Sequence, residues 1–173
     1  MFRHLLVPTD GSLLAKDAVA RAVQLAQAAG ARITFFHVQD SPSIHPEVSL
    51  FGEGMVLDPL INDHFAQAHA AHAEQLLNQA RLQAEAAGVP CDTLTTINPT
   101  IYEAILAAAS DRGCDLIVMA SHGRRGLAAL LLGSETQRVL THAAIPVLVI
   151  PARAPDAAPA AVSAPKSGVA VSP

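Results

Sequence analysis

The stretch Asp115-Leu116-Ile117-Val118-Met119-Ala120-Ser121-His122-Gly123 is the most telling in the chain. The run from Leu116 to Ala120 is apolar without alternation, which describes a strand covered on both faces, as in a parallel sheet. Ser121, His122 and Gly123 stop it at once, so residues 115–120 read as strand four. Upstream, residues 101–112 carry a helical period and are closed by Gly113. Downstream, a glycine-punctuated loop runs to Gly133, residues 134–142 read as a helix, and Val147–Ile150 is a fifth short strand. The same alternation fills the N-terminal half. Residues 2–7 form strand one and end at Pro8-Thr9-Asp10-Gly11. Residues 13–29 have apolar side chains at 15, 18, 19, 22, 23, 26 and 29, a helix period with Ser12 to cap its start and Gly30 its end. Residues 32–38 are strand two, 39–60 a long loop with three prolines, 61–87 a helix closed by Gly88, and 92–97 strand three. Strands separated by helices pair in parallel through right-handed crossovers. The expected architecture is an α/β three-layer sandwich around a five-stranded parallel sheet in the order 3-2-1-4-5, with no internal repeat.

Composition narrows the rest. The chain has 173 residues, a net charge of −4, two cysteines and no tryptophan, and alanine alone supplies 34 residues. With aromatics at 3%, the core must be built from Leu, Val, Ile and Ala, which suits helices lying close on a sheet. The last 23 residues hold five prolines and eight alanines without periodicity. Such a segment cannot bury enough apolar surface to offset its ordering entropy, so residues 1–151 are read as one domain and 152–173 as a disordered Ala/Pro-rich tail. Mild acidity argues against a nucleic-acid binder, which needs a basic stripe. No apolar run approaches the roughly 20 residues that span a bilayer, and Leu5–Val7 is too short for a signal-peptide core. Cys91 and Cys114 lack metal-ligand spacing and read as packing thiols of a reducing cytoplasm.

In an open α/β sheet a ligand sits beyond the carboxyl ends of the strands, where strand order reverses. Here that is between strands one and four, so the relevant loops are residues 8–12 and 121–133. They are also the loops richest in Gly, Ser, Thr and His. Glycines let backbone N–H groups turn toward a phosphate, and Gly133-Ser134 opens a helix whose N-terminus favours an anion. A second reading stands beside this one: Ser134 and Gln137 have the spacing of a capping box, which would satisfy the same N–H groups without a ligand. Other chemistries are excluded by inspection. The only lysines are Lys16 and Lys166, and neither belongs to a G-x-x-x-x-G-K-[ST] loop. There is no G-x-G-x-x-G after strand one, no G-x-S-x-G and no H-E-x-x-H. A receiver-type phospho-acceptor lacks its aspartate after strand three and its lysine after strand four. A flavin site lacks aromatics, Tyr102 being the one tyrosine.

The blocks Leu5-Leu6-Val7-Pro8-Thr9-Asp10-Gly11-Ser12, His37-Val38, Asp115 to Gly123, and Gly133-Ser134 through Pro146-Val147-Leu148-Val149-Ile150 occur in the order and spacing of the universal stress protein family. The chain resembles that family over residues 1–151. The resemblance implies a Rossmann-like, flavodoxin-like domain that binds ATP, with ADP or AMP as alternatives and Mg²⁺ or Mn²⁺ accompanying the phosphates. It also implies a homodimer paired through strand five. Its ATP pattern, Gly-x₂-Gly-x₉-Gly-[Ser/Thr], falls on Ala120, Gly123, Gly133 and Ser134; the nine residues from Arg124 to Leu132 are kept and the first glycine is replaced. By the same resemblance Pro8, Thr9 and Asp10 meet adenine, ribose or a metal, and the backbone of Val38 pairs with adenine. By the resemblance Gly123, Gly133, Ser134 and the backbone of Glu135 hold the phosphates, and Met119, Ala120, His122, Arg124 and Thr136 complete the nucleotide-binding set.

Each residue also has a plainer role. Asp10 can turn the chain into the first helix. Arg124 and Arg125 suit a solvated loop as well as a phosphate clamp. His37 reads as a satisfied interior or edge histidine. On a helix His69 and His72 share a face, whereas His64 lies about 80° from His72 and about 140° from His69, so an exposed polar face is expected rather than a metal site. No nucleophile pairs in sequence with His122. No catalytic residue is assigned, and turnover is expected to be slow or absent. The expected function is a cytoplasmic adenine-nucleotide-binding stress-response module. The alternatives are a nucleotide-free dimeric interaction protein of the same fold, or a slow ATPase or autophosphorylating protein using Ser134 or another hydroxyl.

Overall fold

The computed structural model of the chain describes residues 1–39, 59–122 and 132–151. The long loop before residue 59, the glycine-rich residues 123–131 and the C-terminal tail lie outside the described residues. The elements follow in the order β1 (His4–Pro8), α1 (Leu13–Ala29), β2 (Arg32–Gln39), α2 (Pro59–Ala86), β3 (Cys91–Ile97), α3 (Ile101–Asp111), β4 (Leu116–Ala120), α4 (Ser134–His142) and β5 (Val147–Ile150). The five strands are all parallel and ordered β3-β2-β1-β4-β5, as expected.

Alternation along each strand divides the core in two. Leu5, Val7, Ile33, Phe35, Leu116, Val118 and Ala120 pack with α1 and α2 on one face. Leu6, Phe36, Ile117 and Met119 pack with α3 and α4 on the other. The alanine content now has a place. Helix α1 buries Ala15, Ala18, Ala22 and Ala26 beside Val19 and Val23, so its backbone lies close to the sheet. Ser12 caps α1 by accepting from the Ala15 N–H at 3.2 Å, and Gly30 ends the helix at φ +66°.

Strand one starts later than the sequence pattern indicates, at His4 rather than Phe2. The Asp115 carboxylate takes the N–H groups of Arg3 (2.8 Å) and His4 (3.0 Å), and the Asp115 N–H donates to the His4 carbonyl at 2.9 Å. Asp115 is therefore a splice between the starts of β1 and β4 rather than a strand residue. The other end matters more for function. Pairing of β1 with β2 runs on to Pro8–Phe36, while pairing of β1 with β4 stops at Leu6–Ile117. Even-numbered β1 residues face β4, as the His4–Asp115 bond shows. Pro8 is even and has no N–H to donate. The two central strands cease to pair there, at the point where strand order reverses and where an open α/β sheet has its ligand crevice.

Candidate functional site at the strand-order reversal

The β1–α1 turn forms one wall of the crevice. The Thr9 N–H donates to the Phe36 carbonyl at 2.8 Å, and the Thr9 carbonyl accepts from His37 Nδ1 at 2.8 Å. The Gly11 N–H leans on Thr9 Oγ1 at 3.4 Å, and the Ser12 N–H donates to Asp10 Oδ1 at 3.0 Å. Asp10 thus performs the turn-forming role, an Asx turn, and one of its carboxylate oxygens is engaged in it. Gly11 sits at φ +77°, and a Cβ there would lie 2.7 Å from Leu76 Cδ1 on α2.

Val38 forms the adjoining edge. Even-numbered residues of β2 face β1: the Arg32 N–H donates to the Arg3 carbonyl, and the Phe36 carbonyl accepts from Thr9. Odd-numbered residues face β3, as the bonds from Ile33 N–H to Pro90 O and from Asn98 N–H to Gln39 O show. Val38 therefore faces the β1 side just past the last β1 residue. The regular ladder would give its N–H to Thr9 O and its carbonyl to the Gly11 N–H. Neither bond is formed: pairing of β1 with β2 ends at Pro8–Phe36, the Thr9 carbonyl takes His37 Nδ1 and the Gly11 N–H turns to Thr9 Oγ1, so among the described residues the Val38 main chain has no backbone partner on that side.

The opposite wall is the end of β4 and the start of α4. The Ser121 N–H donates to the Ile150 carbonyl and the Ser121 carbonyl accepts from the Gly133 N–H, both at 2.8 Å. A Cβ on Gly133 would lie 3.3 Å from His122 Cα and from Ser121 O. The glycine is thus needed for close approach, at an ordinary φ of −60°. The proposed capping box is not formed. Gly133 is the N-cap, Ser134 is already inside the helix, and no side chain caps α4. Gln137 instead donates through Nε2 to the Leu132 carbonyl at 3.1 Å. The physical reason is register: a cap needs Ser134 outside the helix, and the Gln137 N–H bond to Gly133 O starts α4 one residue earlier.

Ala120, in the place of a glycine, is the last β4 residue and pairs with Ile150. Its backbone is extended, so no left-handed strain arises, and its methyl joins the core on the α1–α2 face. Met119 is buried on the other face. The Thr136 hydroxyl is buried and donates to the Ala120 carbonyl at 3.1 Å, which anchors α4 to the end of β4. Glu135 turns its carboxylate away, accepting from the Tyr102 N–H at 2.9 Å and so capping α3, whose own N-cap Thr100 makes no side-chain bond. Arg138 stands 5.5 Å over the Tyr102 ring and 3.5 Å from Glu135. Neither that cap nor the His37–Thr9 bond carries a local sequence signal, since each joins distant elements. His122 places Nδ1 3.2 Å from Ser121 Oγ. Gly123, Arg124 and Arg125 lie outside the described residues, as does the side chain of His64. His69 and His72 are exposed on α2.

The fold and the crevice define a class: a doubly wound α/β domain with main-chain groups held open where its strand order reverses. A sequence profile of the universal stress protein family spans residues 1–151. A universal stress protein of Thermus aquaticus is 34% identical over 150 residues, covering 87% of this chain and 99% of its own length. The solved structure of the Methanocaldococcus jannaschii protein MJ0577 aligns with a TM-score of 0.72 at 25% identity, covering 89% of this chain and 99% of that one. The chain belongs to the universal stress protein family. More distant structures share the fold. One is a universal stress protein in complex with cAMP (23% identity, TM-score 0.60, 86% and 96% of the two chains). Another is an Arabidopsis thaliana member with AMP bound (19%, 0.59, 86% and 90%).

Proposed function

We propose that the chain binds an adenine nucleotide in the crevice between β1 and β4, ATP in the first instance with ADP or AMP as alternatives, and turns it over slowly or not at all. The observation that carries this reading is the unpartnered Val38 main chain beside the parted strands. An N–H and a carbonyl on one strand edge match the acceptor N1 and the amino donor of adenine. The phosphates then reach the start of α4, where no side chain competes for the first-turn N–H groups. Ser134 and the backbone of Glu135 stand in that turn; Thr136 serves by anchoring it. Relatives of the same fold in complex with cAMP and with AMP support the ligand class. Among the described residues no cluster of acidic, histidine or cysteine side chains could hold a metal by itself. Mg²⁺ or Mn²⁺ would therefore arrive with the phosphates, Asp10 being the nearest carboxylate in the turn.

Family membership also supports a stress-response role in the cytoplasm and a homodimer paired through the β5 edge. Titration calorimetry with ATP, ADP and AMP at millimolar nucleotide tests the reading. Binding of any of the three is expected, and no heat from any of them overturns it. The replacement of a motif glycine by Ala120 favours a second reading, a nucleotide-free interaction protein of the same fold. The Ala120→Gly variant separates the two: affinity equal to wild type and measurable supports nucleotide binding, while two proteins that both ignore ATP support the second. A slow ATPase or autophosphorylating activity through the exposed Ser134 is rejected if labelled ATP yields neither phosphate nor labelled protein.

A further inference from the structure

We propose that His37 is a positioning residue of the nucleotide site: its ring removes the Thr9 carbonyl from the β-ladder and thereby holds the Val38 main chain open as a recognition edge. This rests on the function proposed above. The carbonyl of Thr9 can only accept, so His37 Nδ1 carries the hydrogen and donates at 2.8 Å. That carbonyl is the group the Val38 N–H would otherwise reach, since Thr9 and Phe36 are already joined at 2.8 Å and the ladder alternates. His37 is itself buried beside the turn, where an unpaired carbonyl would be costly. The ring therefore satisfies Thr9 without using Val38. The Gly11 N–H, drawn to Thr9 Oγ1, does the same for the Val38 carbonyl. A strand edge that would zip closed by one more residue is kept open by one side chain from the neighbouring residue of the same strand.

Amide hydrogen exchange of the free protein, read by NMR, tests this before any ligand is added. In the wild type the Val38 amide is expected to exchange at least about tenfold faster than the Phe36 amide, which pairs with β1. His37→Phe keeps a ring but loses the donor, so Val38 should pair with Thr9 and slow by about tenfold or more, while ATP affinity falls about tenfold. Affinity for inorganic triphosphate, which lacks the base, should be unchanged. His37→Asn, with a donor near the Nδ1 position, should keep both the fast Val38 amide and the ATP affinity. Val38 as protected as Phe36 in the wild type overturns the proposal, as does a His37→Phe protein with wild-type exchange and affinity. If the wild type binds no nucleotide, the proposed function fails, and the exchange of Val38 still decides the role of His37.

Discussion

At the scale of single residues, the buried histidine at the far end of β1 sets a pH limit. His4 is 5% exposed, its Nε2 lies 2.8 Å from Thr34 Oγ1, and among the described residues its Nδ1 makes no hydrogen bond of good geometry, the Arg112 backbone being only a weak neighbour. Burial is the main force lowering its pKa below the ordinary 6.5, and Arg32 adds to it. The Arg112 carbonyl, Asp115 and Asp92 work against it. As pH falls through 6.5, unfolded chains take up a proton that folded chains refuse, so stability held above that value is lost on acidification. Urea unfolding at pH 7.5 and pH 5.5 should show the loss, and His4→Gln should flatten it. Burial raises Asp115, but the N–H groups of His4 and Arg3 outweigh this and hold it below its ordinary 3.8, so its own contribution is lost only in stronger acid. Burial also keeps the thiols protonated: it pushes Cys114 up to about 11 and raises Cys91 as well.

At the scale of elements, the seat of α4 carries the site. Three contacts hold it: the Gly133 N–H on Ser121 O, the Thr136 hydroxyl on Ala120 O, and the Glu135 carboxylate on the Tyr102 N–H. Thr136→Val keeps the shape and strands a buried carbonyl, at a cost of about 1–3 kcal/mol in denaturant unfolding. Gly133→Ala places a methyl 3.3 Å from backbone that cannot swing aside. It should shift α4 by a few tenths of an ångström and weaken ATP and inorganic triphosphate alike, as calorimetry would read. Equal weakening of both marks the phosphate end, whereas loss confined to ATP marks the base end at Val38. The helix and its Gly133-Ser134 start are legible in sequence, because Gly-Ser before a helix period is a local pattern, whereas the three contacts join residues distant in the chain and are not. The capping box is the reading that fails, because one residue of register separates a cap from a first helical position and α4 starts with Gly133 as its cap.

At the scale of the whole molecule, β5 leaves one edge of the sheet open. Leu148 is 40% exposed on it, and Leu140 of α4 is 41% exposed nearby in the chain. A short apolar edge invites pairing with a second copy. Sedimentation should find a dimer, and Leu148→Arg should shift it to monomer while leaving unfolding of the monomer within about 0.5 kcal/mol. A wild-type monomer at tens of micromolar would remove the dimer from the proposed function. Among the described residues no helix is long and apolar enough to cross a membrane.

Periodicity and local residue preference suffice for the alternation of strands and helices, the parallel sheet, the point of strand-order reversal and the helix caps at Ser12 and Gly30. Each follows from periodicity or from a residue with a strong local preference, and local preferences are written in neighbouring positions. Which polar groups are already satisfied emerges from the packed fold alone. Thr136 and Glu135 proved to be anchors, Asp115 a splice, and His37 the partner of the Thr9 carbonyl, because hydrogen bonds between distant elements depend on register and distance. The replaced glycine shows both sides: its absence is visible in the sequence, and its small cost is visible only once Ala120 is seen extended at the end of β4.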